Sequence, residues 1–146
     1  MRRNLLWAAA AAVVLLLTWV IRLSLHPDIP RSYRGLSNPI PSTNPNLLTG
    51  HRLYTFNCAF CHGINGRGDG VPAAGLRPRP ADLVQETMES SDARLFYRIS
   101  EGERLTAMPA WKDILSEQQR WMVILYLRHL AGEPPNGLLP GAPETN

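Results

Sequence analysis

The chain is poor in cysteine and in lysine, and it lacks strand-like alternation. Of its 146 residues only Cys58 and Cys61 are cysteines, and Lys112 is the single lysine. The net charge is +3, and residues 47–131 hold 10 Lys+Arg against 9 Asp+Glu. A folded part so near neutrality excludes a nucleic-acid partner, which needs a clear basic face. No second Cys/His cluster accompanies Cys58, Cys61 and His62, so a four-ligand structural zinc site is left incomplete. No run reads as a strand, which removes the βαβ setting of a thioredoxin-like dithiol. No internal repeat is visible.

What the chain does have is Cys58-Ala59-Phe60-Cys61-His62. This C-x-x-C-H spacing is that of covalent attachment of a c-type haem. One helical turn sets both sulfurs along one porphyrin edge, for thioether bonds to the vinyl groups, and offers the histidine to the iron. The reading uses both cysteines and leaves no thiol for a disulfide.

The first 25 residues are strongly apolar. Met1-Arg2-Arg3-Asn4 is a basic start, and Leu5–Ile21 is a 17-residue run without charge. As helix that run spans about 25 Å; with Leu23 and Leu25, and with Arg22 snorkelling, it just matches a bilayer core of about 30 Å. A cleaved signal peptide competes with this. The run ends Trp19-Val20-Ile21-Arg22-Leu23-Ser24-Leu25-His26, without the small-residue pattern that cleavage needs, so residues 1–25 are expected to be an uncleaved transmembrane anchor.

Residues 26–46 contain five prolines and read as a stiff linker, and residues 132–146 as an irregular Pro-rich tail. Between them three helices are expected in an all-α domain, residues 47–131. The first opens with Asn44 as cap and Pro45 at the first helical position and runs to about Phe60. The second spans Asp92–Glu101, after Ser91 and before Gly102. The third starts at Ser116, where Ser116 and Gln119 form a capping box and Val123, Tyr126, Leu127 and Leu130 follow helical spacing. Some 85 residues make a thin core. A covalent haem supplies the apolar body for the three helices to pack on.

The iron needs a second axial ligand. The candidates are Met88, Met108, Met122, His26, His51 and His129. Met108 is chosen because Thr106-Ala107-Met108-Pro109-Ala110-Trp111 lies between two helices and Pro109 holds Met108 extended. Met122 sits inside a helix, Met88 in a polar stretch, His51 too close to the attachment motif and His129 at a helix end. His/Met ligation raises the reduction potential and closes the iron, which favours outer-sphere electron transfer. The proximal imidazole needs an acceptor for its other nitrogen, and a carbonyl of the Gly70–Pro72 loop is the candidate.

With these residues placed, the chain resembles the class I cytochromes c, specifically small membrane-anchored mono-haem bacterial ones, over residues 47–131. The resemblance is carried by Gly50-x-x-x-Tyr54, Cys58-Ala-Phe-Cys61-His62-Gly63, Gly66-Arg67-Gly68-Asp69-Gly70, Arg79-Pro80-Ala81-Asp82-Leu83, Leu95-Phe96-Tyr97-Arg98-Ile99 with Gly102, Met108-Pro109 and Tyr126-Leu127-Arg128. It implies that the first and last helices cross at Gly50, packed by Tyr54 and Tyr126. It also implies that the Pro72 carbonyl receives the His62 proton, that Arg77 and Arg79 stand near the haem propionates, and that Trp111 shields the haem edge or caps the last helix. It places residues 26–146 on the periplasmic side of the cytoplasmic membrane.

The function expected from this is single-electron transfer, not enzymatic turnover. The donor would be a quinol-oxidising complex or dehydrogenase, and the acceptor a terminal oxidase or reductase. The protein would act as a tethered carrier or as a fixed subunit of a respiratory or photosynthetic complex. A haem-based sensor with a displaceable methionine is the alternative, motivated by the loop before Met108. A peroxidase would need an open distal site with a His/Arg pair, and none stands out in the sequence.

Overall fold

The computed structural model describes residue 7, residues 11–20 and residues 29–132. The chain divides into two compact units, Met1–Pro30 and Arg31–Asn146. In the first, residues 11–20 are helical. Among the described residues no helix is long and apolar enough to cross a membrane. The rest of the expected anchor, residues 1–25, lies outside the described residues, as do residues 133–146 of the expected tail.

Within the second unit the described residues form five helices and no strand: α1 (Asn44–Asn57), α2 (Ala59–His62), α3 (Leu83–Glu89), α4 (Asp92–Glu101) and α5 (Glu117–Leu130). α4 and α5 have the expected bounds because their ends are encoded locally. The Ser91 side chain accepts from the Arg94 N–H, and Gly102 ends α4 at φ 74°. Ser116 and Gln119 form the capping box in both directions.

α1 departs from expectation at both ends. Its N-cap is the extended Thr43, one residue before Asn44. It stops at Asn57 instead of running through Phe60. The break is at Cys58, where φ −115° and ψ −38° bend the chain and one carbonyl accepts both the Cys61 and the His62 N–H, at 3.1 and 2.9 Å. The two cysteines are thereby carried on a separate turn, α2. α3 was not expected. Its cap is Asp82, whose Oδ1 accepts from Val84 N–H at 2.9 Å and Gln85 N–H at 3.2 Å. Seven residues are too few to show a helical apolar period, so only that cap announced it.

The core forms where α1 meets α5. A Cβ on Gly50 would collide with the Met122 carbonyl oxygen and stand 3.0 Å from Tyr126 Cβ, so glycine is what lets the two backbones touch. Tyr54 and Tyr126 pack at 5.3 Å between ring centroids, as the resemblance implied. Leu47, Tyr54, Val123 and Ile124 are fully buried beside them. Phe96 of α4 stacks on Trp121 of α5 at 4.0 Å, and the Arg120 guanidinium covers the Phe96 ring at 4.7 Å. Arg128 joins α5 to the α3–α4 junction. It donates to Asp92 Oδ1 at 2.7 and 2.9 Å, to the Ser90 carbonyl at 2.8 Å and to the Thr87 carbonyl.

Much of the segment expected to be a linker belongs to the domain. Tyr33 Oη donates to Glu101 Oε1 at 2.6 Å, and its ring packs on Phe96 and Tyr97 at 6.1 and 5.1 Å. Asn38 N–H donates to Asp92 Oδ2 at 3.0 Å and Asn38 Nδ2 to the Trp121 carbonyl at 2.9 Å. From Arg31 onward the chain is a strap across α4 and α5. Proline stiffens it, but the aromatic and amide contacts decide where it lies.

Candidate functional site

A mostly apolar cavity of about 300 Å³ opens inside the second unit. α1 and α2 bring Cys58, Cys61 and His62 to its wall, α4 brings Leu95 and Ile99, α5 brings Val123 and Leu127, and the α4–α5 loop brings Met108. Residues from four separate stretches of sequence thus converge on one space.

Both cysteines are free. Burial, with Cys61 as a neighbour, pushes the Cys58 thiol up to about 12. A thiol so raised is not the low-pKa thiolate of a reactive dithiol. His62 is lowered from its ordinary value by burial, against an opposing hydrogen bond to Ala81. The imidazole is therefore neutral. Its Nδ1 lies 3.2 Å from the Ala81 carbonyl oxygen, an acceptor that assigns the proton to Nδ1 and the lone pair to Nε2. A neutral, oriented imidazole with a free lone pair is what an iron ligand requires.

The acceptor is Ala81 and not Pro72, which corrects the role the resemblance gave to Pro72. The Pro72 carbonyl is used within its own loop, accepting the Gly75 N–H at 2.9 Å. The chain instead returns to the histidine some ten residues later. Leu83 N–H donates to the Gly66 carbonyl at 2.6 Å, and Gly68 sits so close to Pro80 that a Cβ would strike the Pro80 carbonyl oxygen. That contact is what presents Ala81 to His62.

The other expected site residues are sorted by the same cavity. Arg79 and Trp111 line it. Arg77 is turned onto its own loop, donating to the Ala74 and Leu76 carbonyls at 2.9 and 2.8 Å. Among the remaining candidates for the second axial ligand, Met88 is 64% exposed and Met122 sits with its carbonyl against Gly50. His51 and His129 place their rings against Tyr126, at 5.0 and 6.4 Å. His26 lies outside the described residues. Of these candidates, only Met108 lines the cavity with His62. Sequence reasoning missed Glu86, Arg98 and Glu103, three charged residues on the same wall. Arg98 stood inside a quoted motif, but nothing local told which way it faces.

The donors fit a covalently attached haem: two half-buried cysteines, a neutral imidazole, a thioether and apolar walls. The comparisons agree. A family model described as cytochrome c oxidase, cbb3-type, subunit III matches residues 45–127. Nothing matches among curated proteins. Among solved structures the chain is similar to a chain of the reducing HAO-like protein complex of Kuenenia stuttgartiensis, with 29% identity and a TM-score of 0.56. The match covers 66% of this chain and 47% of that one, so this chain spans about half the length of that relative.

Proposed function

The chain belongs to the family of cytochrome c oxidase, cbb3-type, subunit III, and from that premise we propose that it is a mono-haem c-type cytochrome that passes single electrons between redox proteins. The observation that carries the proposal is the meeting of Cys58, Cys61, His62 and Met108 on the wall of one cavity. The haem, once attached, supplies an iron that alternates between Fe(III) and Fe(II).

The chain's own residues then have distinct tasks. Cys58 and Cys61 fix the ring covalently. His62 gives its Nε2 lone pair, with Ala81 holding the proton on Nδ1. Met108 would supply a thioether sulfur to the iron, which raises the potential and keeps small ligands out. Leu95, Ile99, Val123 and Leu127 exclude water, so the charge change meets little solvent reorganisation. Arg79, exposed and lining the cavity, would pair with a propionate.

The setting belongs to the same proposal. The 17-residue uncharged run Leu5–Ile21 anchors the protein in the cytoplasmic membrane, with the haem domain on the periplasmic side. The donor is a quinol-oxidising complex or dehydrogenase and the acceptor a terminal oxidase or other reductase. Similarity to a component of a multi-protein redox complex supports a role as a subunit beside such partners.

The test is Met108→Ala in the matured protein. The variant should retain its haem through acid–acetone extraction, show a reduction potential lower by about 100 mV or more within the range that axial ligands span, and bind carbon monoxide where the parent does not. A haem lost to acetone from the parent protein refutes covalent attachment. An unchanged potential and continued resistance to carbon monoxide in the variant refute Met108 as ligand.

A further inference from the structure

Glu103 stands at the centre of the loop that delivers Met108. Its N–H donates to the Met108 carbonyl at 3.2 Å, and its own carbonyl accepts the Thr106 N–H at 3.3 Å. Thr106 Oγ1 also donates to that carbonyl, at 2.8 Å, and accepts the Met108 N–H at 3.1 Å. Both backbone groups of Met108 are therefore tied to Glu103, one directly and one through Thr106. Gly102 leaves no slack on the far side, because a Cβ there would stand 2.8 Å from the Met108 carbonyl oxygen. At the tip Leu105 takes φ 62° while 91% exposed. That left-handed conformation is resisted by a residue with a side chain. A loop with this residue exposed at its tip is held by those internal bonds and by whatever grips its base.

The grip comes from α4. Arg98 Nε lies 3.1 Å from Glu103 Oε2, and Arg98 Nη1 bonds Glu86 Oε1 of α3. Glu86 Oε1 also accepts from Ser90 Oγ at 2.7 Å. One planar fork therefore spans α3, α4 and the Met108 loop. The Arg98 and Glu86 side chains are only 28% and 27% exposed, so the fork is anchored in the fold, while Glu103 on the loop side is 45% exposed and its pair with Arg98 is weakened by salt. All three charged residues line the cavity with Met108.

We propose that Arg98 and Glu103 are positioning residues for the sixth iron ligand: their ion pair holds the 102–108 loop so that the Met108 thioether stays on the metal and outside ligands stay off. The proposal rests on Met108 being that ligand. The event it controls is the exchange of one sulfur lone pair for one nitrogen lone pair at unchanged iron valence, so no electron donor or acceptor enters.

The experiment titrates imidazole into the ferric holoprotein and follows the thioether-to-ferric-iron charge-transfer band. The variants are Glu103→Gln, Arg98→Met, their combination, Met108→Ala and, as a control, Lys112→Met. Lys112 pairs with Glu101 at 2.6 Å and not with the loop. Glu103→Gln and Arg98→Met should each raise the imidazole affinity about threefold to fivefold, the range a partly exposed ion pair supports. The double variant should gain no more than Arg98→Met alone, because Glu103 then has no Arg98 left to lose, and the control should not move. Reduction potential is not the deciding readout, since removing Arg98 changes the charge near the iron whatever the loop does. If Met108→Ala opens the site while Glu103→Gln and Arg98→Met leave affinity and band unchanged, the positioning role is overturned and the ligand assignment stands. If Met108→Ala also changes nothing, the ligand assignment beneath it fails. Should Arg98→Met not fold, Glu103→Gln decides alone, because it preserves every backbone bond of the loop.

Discussion

Tyr54 shows how much one side chain can be asked to do in a domain this small. It is fully buried, its ring fills the angle between α1 and α5, and its hydroxyl donates to the Gly63 carbonyl at 2.6 Å. Gly63 follows His62 directly, so the same residue braces the helix crossing and the end of the attachment turn. Burial raises the phenol well above its ordinary value, and it therefore donates throughout the accessible pH range. Tyr54→Phe keeps the ring and deletes the donor. It should lower stability by about 1–1.5 kcal/mol, read as a smaller midpoint in urea at unchanged slope, with haem attachment intact. The importance of Tyr54 was legible, because Gly50-x-x-x-Tyr54 and Tyr126 lie at readable helical spacings. The hydroxyl's partner was not, since a backbone carbonyl has no sequence signature. Ala81 escaped notice for the same reason.

At the scale of elements, the contact of α1 with α5 depends on the absence of one methyl group. Gly50→Ala places a Cβ against the backbone of Met122, which cannot rotate away as a side chain would. Alanine regains about 1 kcal/mol of helix propensity, but overpacking against backbone outweighs it. A net loss of about 2–3 kcal/mol is expected in urea unfolding. Gly75→Ala is the contrast: its new Cβ would meet nothing nearer than the Pro72 carbonyl oxygen at 3.6 Å, and stability should stay within about 0.5 kcal/mol. A loss at position 50 no larger than at position 75 would refute the close crossing. The caps of α4 and α5 lie within three residues of what they cap and could be read directly. The break at Cys58 could not, because it exists to let one carbonyl serve two amides, a demand of the turn and not of any residue's propensity.

At the scale of the whole molecule, Glu101 connects three parts. It accepts from Tyr33 of the strap and from Lys112 of the α4–α5 loop, each at 2.6 Å, and itself ends α4. The Lys112 and Tyr33 bonds hold its carboxyl below its ordinary value of 4.5. The same pairing raises Lys112 above 10.5. Tyr33 is raised above 10.0 by burial first and then by its bond to Glu101. The signs follow from linkage. A depressed carboxyl contributes above its unfolded value and loses that contribution as pH falls through its folded one. A raised amine or phenol contributes below its unfolded value and loses it as pH rises. The parent should therefore exceed Glu101→Gln in thermal midpoint by a constant margin between about pH 5.5 and 9.5, and that margin should shrink at both pH 3 and pH 11. A margin independent of pH would mean that Glu101 acts by packing alone.

The sequence by itself determined the local punctuation and named the candidate site residues. The Cys58-x-x-Cys61-His62 motif, the caps at Ser91 and Ser116 and the Gly50 crossing are all written in contiguous or regularly spaced residues, where spacing alone dictates geometry. The tertiary structure decided which carbonyl meets His62, which cations reach the cavity, and that residues 31–43 lie against α4 and α5. Those outcomes join residues up to 83 positions apart, as Asn38 joins Trp121. No periodicity relates such partners. They are selected only when the packed helices bring them within hydrogen-bonding distance and leave each buried polar group to find a mate.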